Sequence, residues 1–259
     1  MPFRTIKQII YALFYLLIIA ALGYGLYAIA IQPSASCSDG KKNQGEEKID
    51  CGGPCQSCAL KEAEPLRALP AVVIATPDGS GSTLISQFRN PNSAFGARSF
   101  DYSISLFGSQ GELVEQIQDS SFIYGAEVKF VIRPNIAVLA ERVQSSEISI
   151  ANVEWVSRED FPQPRTELRS VSLEISEEKL NRVEAIVHGT IRNDNAYSLS
   201  RVIVNARLTD RIGALAGASR TVVENVEPFS EAEFTIIIPI TEEDIEGLSD
   251  PVVTVEALR

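Results

Sequence analysis

Histidine is almost missing. His188 is the only one in 259 residues, and methionine and tryptophan also occur once each. A single imidazole excludes a histidine-rich transition-metal site. His188 lies in the alternating stretch "AIVHGTI", with no serine elbow or oxyanion-loop signature nearby, so it reads as an ordinary strand residue rather than a catalytic base. Neither a phosphate-cradling glycine loop nor a dinucleotide fingerprint occurs. Basic residues are scarce, 23 against 34 acids, for a formal charge of −11. Arg4 and Lys7 stand ahead of residue 33 with no acid, which leaves 21 basic and 34 acidic side chains in residues 33–259. No basic stripe with interleaved aromatics is present, and nucleic acid is not an expected partner. Cysteine is confined to 22 residues, Cys37 to Cys58. Apolar residues make up 45% of the chain, enough to build real cores and to exclude wholesale disorder.

Only one long apolar run exists, "QIIYALFYLLIIAALGYGLYAIAIQ" from Gln8 to Gln32, and it carries no charge. Ile9 to Ile31 would extend about 35 Å as a helix at ~1.5 Å per residue, slightly more than the ~30 Å hydrocarbon core. Tyr11 and Tyr27 stand towards its two ends, where amphipathic rings favour the interface, and Pro33 closes it. A cleaved signal peptide has an apolar region of only ~7–15 residues. "PSASC" offers small residues before Cys37, but a lipoprotein signal would want an aliphatic residue where Ser34 stands. The reading is an uncleaved anchor, residues 9–32, behind a cytoplasmic tail of residues 1–8. Arg4 and Lys7 place the amino terminus inside and residues 33–259 outside by the positive-inside rule; Lys41, Lys42 and Lys48 soften that reading without reversing it. Ala21 and Gly25 form a small-xxx-small pair that would allow a homo-oligomeric helix contact. Ordinary glycine tolerance in lipid is the simpler account.

The cysteine segment, residues 33–60, reads "CSDGKKNQGEEKIDCGGPCQSC" from Cys37 to Cys58, a C-x13-C-x3-C-x2-C spacing. Zinc would need four tetrahedral ligands, but the second pair lacks the usual knuckle spacing. A redox motif would want a βαβ context that does not follow. Two disulfides suit an exported stretch too short for its own core, with Cys37, Cys51, Cys55 and Cys58 open to three pairings. Asp39, Asn43, Glu46 and Asp50, on a glycine-bent loop, are candidate ligands for calcium, a hard cation that takes oxygen. The pattern is not an EF-hand, and turn-forming Asx chemistry would explain the same residues. No other cofactor is implied. The pattern C-x-D-G-x2-N-x2-E-x3-D-C-G-G, carried by Cys37, Asp39, Gly40, Asn43, Glu46, Asp50, Cys51, Gly52 and Gly53, resembles a small cysteine module of bacterial and archaeal exported proteins. That resemblance covers about a tenth of the chain and implies an extracytoplasmic spacer.

After a linker at residues 61–68 the period becomes two. Phe100, Tyr102, Ile104 and Leu106 alternate with polar residues, and Val202, Val204, Ala206 and Leu208 do the same, the mark of strands with one buried face. Further strand-like runs are "AVVIA" (71–75), "TLISQF" (83–88), "EVKFVI" (127–132), "EISIANVEW" (147–155), "VEAIVHGTI" (183–191), "EFTIIIPI" (233–240) and "VVTVEAL" (252–258). Turn residues at short intervals point to antiparallel sandwiches, one over 69–157 and one over 167–259, joined by a proline-stiffened linker at 158–166. "FRNPN" at Phe88 and "IRNDN" at Ile191 align at an offset of 103, and "GEL" at Gly111 with "GAL" at Gly213 at 102, as in a domain duplication. Placed in line, two sandwiches would span about 80 Å.

The second half, with Val187, Gly189, Ile191, Asn193, Leu208, Asp210 and Gly213, is similar to the FxLYD-type domain of bacterial surface proteins, an immunoglobulin-like sandwich. Ala206 stands where that family's Phe would be and Thr209 where its Tyr would be. The first half reads Leu106-Phe107-Gly108 and departs at the Asp. The resemblance implies extracellular spacing and contact surfaces. Other tempting residues have structural readings. The acids Glu177-Glu178 and Glu242-Glu243-Asp244 read as solvated charge rather than glycosidase carboxylates. Trp155 reads as core. Asn90 and Asn193, at matching turns, read as backbone partners. The expected whole is an all-β ectodomain of two tandem immunoglobulin-like sandwiches behind a transmembrane helix and a disulfide-rich module. The expected role is non-catalytic: adhesion, spacing or protein contact in the cell envelope. The alternative is an accessory subunit of a secretion or pilus assembly.

Overall fold

A 28-residue helix, α1 (Phe3–Ala30), opens the chain in the computed structural model, which describes residues 3–30, 37–178, 182–241, 245 and 247–259. Its Ile6–Tyr27 segment is long and apolar enough to cross a membrane, about 33 Å at ~1.5 Å per residue, and none of it is covered by the protein. Pro33 and Ser34 lie outside the described residues, as do Glu242-Glu243-Asp244. The chain divides into two compact units, Met1–Glu62 and Ala63–Arg259.

In the first unit the cysteines form two disulfides, Cys37–Cys55 and Cys51–Cys58. Interleaved pairing of this kind ties a loop that has almost no core, since Cys51, Cys58 and Glu46 are among the few buried side chains there. Gly53 sits at φ 59°, and a Cβ on it would run into the Gly45 carbonyl, so the turn requires glycine. A short helix α2 (Cys58–Lys61) ends the module, its Leu60 N–H donating to the Ser57 hydroxyl at 3.3 Å.

Among the described residues the second unit holds twelve strands in four three-stranded antiparallel sheets. The first sandwich contains β1 (Arg67–Ala75), β2 (Ser82–Arg89), β3 (Phe95–Phe107), β4 (Leu113–Ile123), β5 (Val128–Ile136) and β6 (Ser145–Ser157). Sheet β1-β2-β5 faces sheet β4-β3-β6. The second contains β7 (Thr166–Glu178), β8 (Arg182–Asn193), β9 (Leu199–Thr209), β10 (Leu215–Val226), β11 (Glu231–Ile240) and β12 (Val252–Leu258), with sheet β11-β8-β7 facing β10-β9-β12. Both follow the A-B-E and C′-C-F strand orders of an immunoglobulin-like fold. Phe88, Phe100 and Tyr102 cluster at 5.2–6.2 Å in the first core. Val187, Val204, Phe234 and Ile236 are among the side chains that fill the second.

Each sandwich is closed at one end by the same asparagine device. Asn90 Nδ2 donates to the Phe95 and Tyr124 carbonyls at 2.7 and 2.9 Å, while its Oδ1 accepts from Asn92 N–H and Nδ2. Asn193 Nδ2 donates to the Tyr197, Val226 and Glu227 carbonyls at 2.9–3.0 Å, and its Oδ1 accepts from Asn195 in the same two ways. The outer amides repeat too. Asn92 brackets the N–H and C=O of Glu64, and Asn195 those of Arg165, just ahead of the first strand of each sandwich. Asn90 and Asn193 are 1% and 0% exposed, so losing either amide would strip carbonyls inside the fold, the Val226 carbonyl among them, of a donor. Asn193→Ala is expected to destabilise the protein by about 3 kcal/mol, read as a lower urea midpoint at unchanged slope. Asn195→Ala, nearer the surface, should cost clearly less.

Candidate functional site

The strand β5 reads Val-Lys-Phe-Val-Ile, and its apolar residues serve two cores. Val131 enters the first sandwich, whereas Phe130 and Ile132 turn the other way and join Ile74, Ile85, Leu215 and Ala218 in a separate cluster. The outer face of β1-β2-β5 is thus covered by the outer face of β10-β9-β12. An in-line pair joined only by a linker is not what the chain forms, because this second apolar face of the first sandwich must also be buried.

Polar groups fix the placement. Lys129, 2% exposed, donates to Glu256 Oε2 and to the Phe122 carbonyl, both at 2.9 Å, with its ammonium 3.6 Å from the centre of the Phe122 ring. Asn205 Nδ2 donates to the other Glu256 oxygen at 3.0 Å. The Tyr124 hydroxyl donates to the Ala257 carbonyl at 2.7 Å, and burial pushes its phenol well above the ordinary value. The Arg207 guanidinium stacks 3.7 Å over Phe130, and desolvation there lowers its pKa. Phe161, in the connection between the sandwiches, stacks on Tyr124 at 4.5 Å. That connection is therefore pinned by an aromatic contact.

Beside the ion pair lies a cleft of about 390 Å³, lined from β3, β4 and β5 of one sandwich and β9, β10 and β12 of the other. Five basic side chains line it, Arg98, Lys129, Arg133, Arg201 and Arg220, against the acids Asp119 and Glu256. Arg133 pairs with Asp119, and Arg98 reaches Glu154 at 3.4 Å. Arg201 and Arg220 have no ion pair among the described residues. The Arg133 Nε and the Asn205 Oδ1 are buried without a hydrogen-bond partner.

The residues singled out in the sequence lie elsewhere. Asp39, Asn43, Glu46 and Asp50 do come together, but they hold each other and the backbone. Asp50 accepts the Gly40 N–H at 3.0 Å, Glu46 Oε2 accepts the N–H groups of Asn43 and Asp50 at 3.2 Å, and Asp39 accepts from Asn43 Nδ2 at 2.8 Å and the Lys41 N–H at 2.9 Å. Those bonds from Asn43 and the Lys41 backbone hold the Asp39 carboxyl below its ordinary pKa. Among the described residues no group of three or more His, Cys, Asp and Glu side chains is placed to hold a metal ion. His188 lies on the open face of β8 with its side chain 44% exposed. Its Nδ1 is 3.1 Å from Thr235 Oγ1 and its Nε2 is 3.7 Å from Glu174, a cross-strand row that sequence order conceals. The row borders only a shallow depression of about 260 Å³. Trp155 on β6 packs against the first core and also lines an apolar groove of about 410 Å³ with Leu66, Ile148 and Ile150. The side chains of Glu177 and Glu178 lie outside the described residues.

No family model and no curated protein matches the chain. Among solved structures it is similar to a β-glucuronidase of glycoside hydrolase family 2, at 8% identity over 68% of this chain and 24% of that one, with a TM-score of 0.28. It is also similar to a red sea bream transglutaminase, at 8% identity over 78% and 32% with a TM-score of 0.22. A third is a glycosyl hydrolase family 2 member from Bacteroides cellulosilyticus DSM 14838, at 9% over 72% and 30% with a TM-score of 0.25. The chain spans about a third or less of each, and likenesses this weak assign it no activity.

The ion-pair cluster carries a testable pH dependence. Burial raises the pKa of both Glu256 and Glu127 above the ordinary 4.5, with Lys129 pulling the other way. Since each is raised in the fold, the native state takes up protons before the unfolded chain does. The two carboxyls therefore add stability as pH falls from neutral towards about 4.5, and lose that addition as pH rises. Glu256→Gln should flatten this slope in urea titrations between those limits. Lys129→Met, which leaves a buried carboxylate without its cation, should cost roughly 3–5 kcal/mol at neutral pH, and adding Glu256→Gln should recover much of the loss.

Proposed function

We propose that the chain is a membrane-anchored extracytoplasmic protein that presents a rigid pair of immunoglobulin-like sandwiches for protein contact in the cell envelope, with no catalytic activity of its own. The observation that carries this reading is the order of parts: an uncovered apolar helix, then a module held by two disulfides, then an all-β unit. Disulfides persist in oxidising compartments, which supports residues 33–259 standing outside the cytoplasm with the basic amino terminus inside. In this reading the sandwiches descend from one FxLYD-like ancestor by duplication. The repeated Asn90/Asn92 and Asn193/Asn195 networks support it, as does the shared turn. Asp210 N–H donates to the Ala214 carbonyl at 2.8 Å, as Gly108 N–H does to that of Glu112 at 2.9 Å. Where the first half lacks the aspartate, the Glu112 carboxylate fills the space that a Cβ on Gly108 would need.

An accessory role in a larger envelope assembly is the second reading, favoured by one feature. Among the described residues the outer strands of all four sheets, β4, β6, β7 and β11 among them, have a sheet partner on one side only, the geometry of strand addition. Protease applied to intact cells should release fragments of the β unit and spare the helix. Protection of residues 63–259 would reverse the orientation. Stoichiometric co-purification of the detergent-solubilised full chain with a multi-protein assembly would select the second reading. For the module, calcium is expected to leave thermal stability unchanged, whereas reduction of the disulfides should expose it to proteolysis. A calcium-dependent rise in its melting temperature would support the ion-binding reading of Asp39, Asn43, Glu46 and Asp50.

A further inference from the structure

We infer that the cleft between the sandwiches is a binding site for a small, multiply charged oxyanion, a ligand carrying phosphate or carboxylate groups, held by Arg201, Arg220 and Arg133. Three independent observations converge. The cleft concentrates five cations against two acids in a chain whose net charge is −11. Asp119 and Glu256 are already engaged, by Arg133 and by Lys129 with Asn205, so neither answers Arg201 or Arg220 with a direct ion pair. A buried donor also lacks a partner there, the Arg133 Nε.

Such an arrangement costs stability if nothing binds. Arg220 is half-buried on β10 with like charges at Arg133 and Arg201 nearby, and desolvation with that repulsion lowers its pKa. A guanidinium kept in this state is poised for an oxyanion, because its planar fork forms two parallel N–H···O bonds with a carboxylate or phosphoryl group. Arg201 stands two strand positions from Ile203 and four from Asn205 on the outer row of β9, while Arg220 is the cross-strand partner of Asn205 on β10. The two cations thus come from a rigid sheet, and Arg133 comes from β5 of the other sandwich. Ligand would bridge the two bodies. At about 390 Å³ the cleft lies near the lower end of the small-molecule range of ~300–1,000 Å³. Tyr102, Ser99 and Ser121 also line it.

The test is calorimetric titration of the detergent-solubilised full chain with inorganic phosphate and with citrate at low ionic strength. Saturable binding is expected with a Kd of about 10 µM to 1 mM for one of them, weakening as salt is added. Arg220→Met should weaken it about tenfold or more and Arg220→Lys less. Arg201→Met, at an exposed position that packing does not depend on, should weaken it about threefold and keeps the test valid if the first variant is unstable. Arg158→Met, outside the cleft, should leave it unchanged. No saturable binding of either anion up to about 10 mM would overturn the inference. An equal loss in the Arg158 variant, or binding to anionic phospholipid vesicles with none to the soluble anions, would overturn it as well. None of these outcomes bears on membrane orientation or protein partners, so the two readings fail separately.

Discussion

The ion pair between Lys129 and Glu256 is the contact on which the arrangement of the β unit depends. Two charges have been taken from water, at 2% and 5% exposure, and joined across the two sandwiches. The apolar patch alone, Ile74, Ile85, Phe130, Ile132, Leu215 and Ala218, is attractive but non-directional and would tolerate sliding. A buried ammonium is tolerated only when its hydrogen-bonding directions are met. Here the Phe122 carbonyl, the Phe122 ring and Glu256 meet them, and they come from both sandwiches. Tyr124 and Phe161 add a second fixed point. One relative placement satisfies all of these together, and the cleft with its unanswered arginines follows from that placement.

Inside each sandwich the organising device is different. An asparagine side chain carries out work that a longer strand end would otherwise do, meeting carbonyls from two separate turns while holding the neighbouring asparagine against the chain that leads into the first strand. Amides suit this because they donate and accept at once. An aspartate of the same size could accept but not donate to the three carbonyls around residue 193, which explains an amide there.

Much of the fold was legible in the alternating runs, because a strand with one buried face writes its register directly into the sequence. The strands β4, β7 and β10 were harder to read, since residues such as Glu115, Gln116 and Gln118 leave only a thin apolar face. The junction was written in the sequence less plainly. "EVKFVI" and "TLIS" carry contiguous apolar residues, the pattern of strands covered on both sides. What covers the second side is a tertiary fact that no local pattern supplies. Lys129 and Glu256 each look like an isolated charge in an apolar strand, and 127 positions separate them. Arg201 and Arg207 alternate with apolar residues, and Arg220 stands between Ser219 and Thr221, all as solvated side chains would. The module differed again: the disulfides were readable from spacing and place, but their interleaved pairing was not. The carboxylates that resemble calcium ligands also accept backbone N–H groups, and sequence alone does not show those bonds.

Counting from the matched asparagines exposes why the faces differ. Ile85 corresponds to His188, and Phe130 and Ile132 correspond to Glu233 and Thr235. The face that is apolar and covered in the first sandwich is therefore polar and open in the second, and the lone histidine occupies the position of an interface isoleucine. On the other sheets the relation runs backwards. Asp101, Ser103 and Ser105 of β3 correspond to Ile203, Asn205 and Arg207 of β9, the row that meets the first sandwich. Each sandwich has thus one face fitted to its neighbour and the equivalent of its neighbour's face left wettable. A third sandwich of either kind would meet Asp101 and its serines at one end or His188, Thr235 and Glu233 at the other, and would bury polar groups with nothing to answer them. Neither outer face is therefore fitted to stack a further sandwich of these two kinds, and the cleft at the junction has no counterpart elsewhere among the described residues.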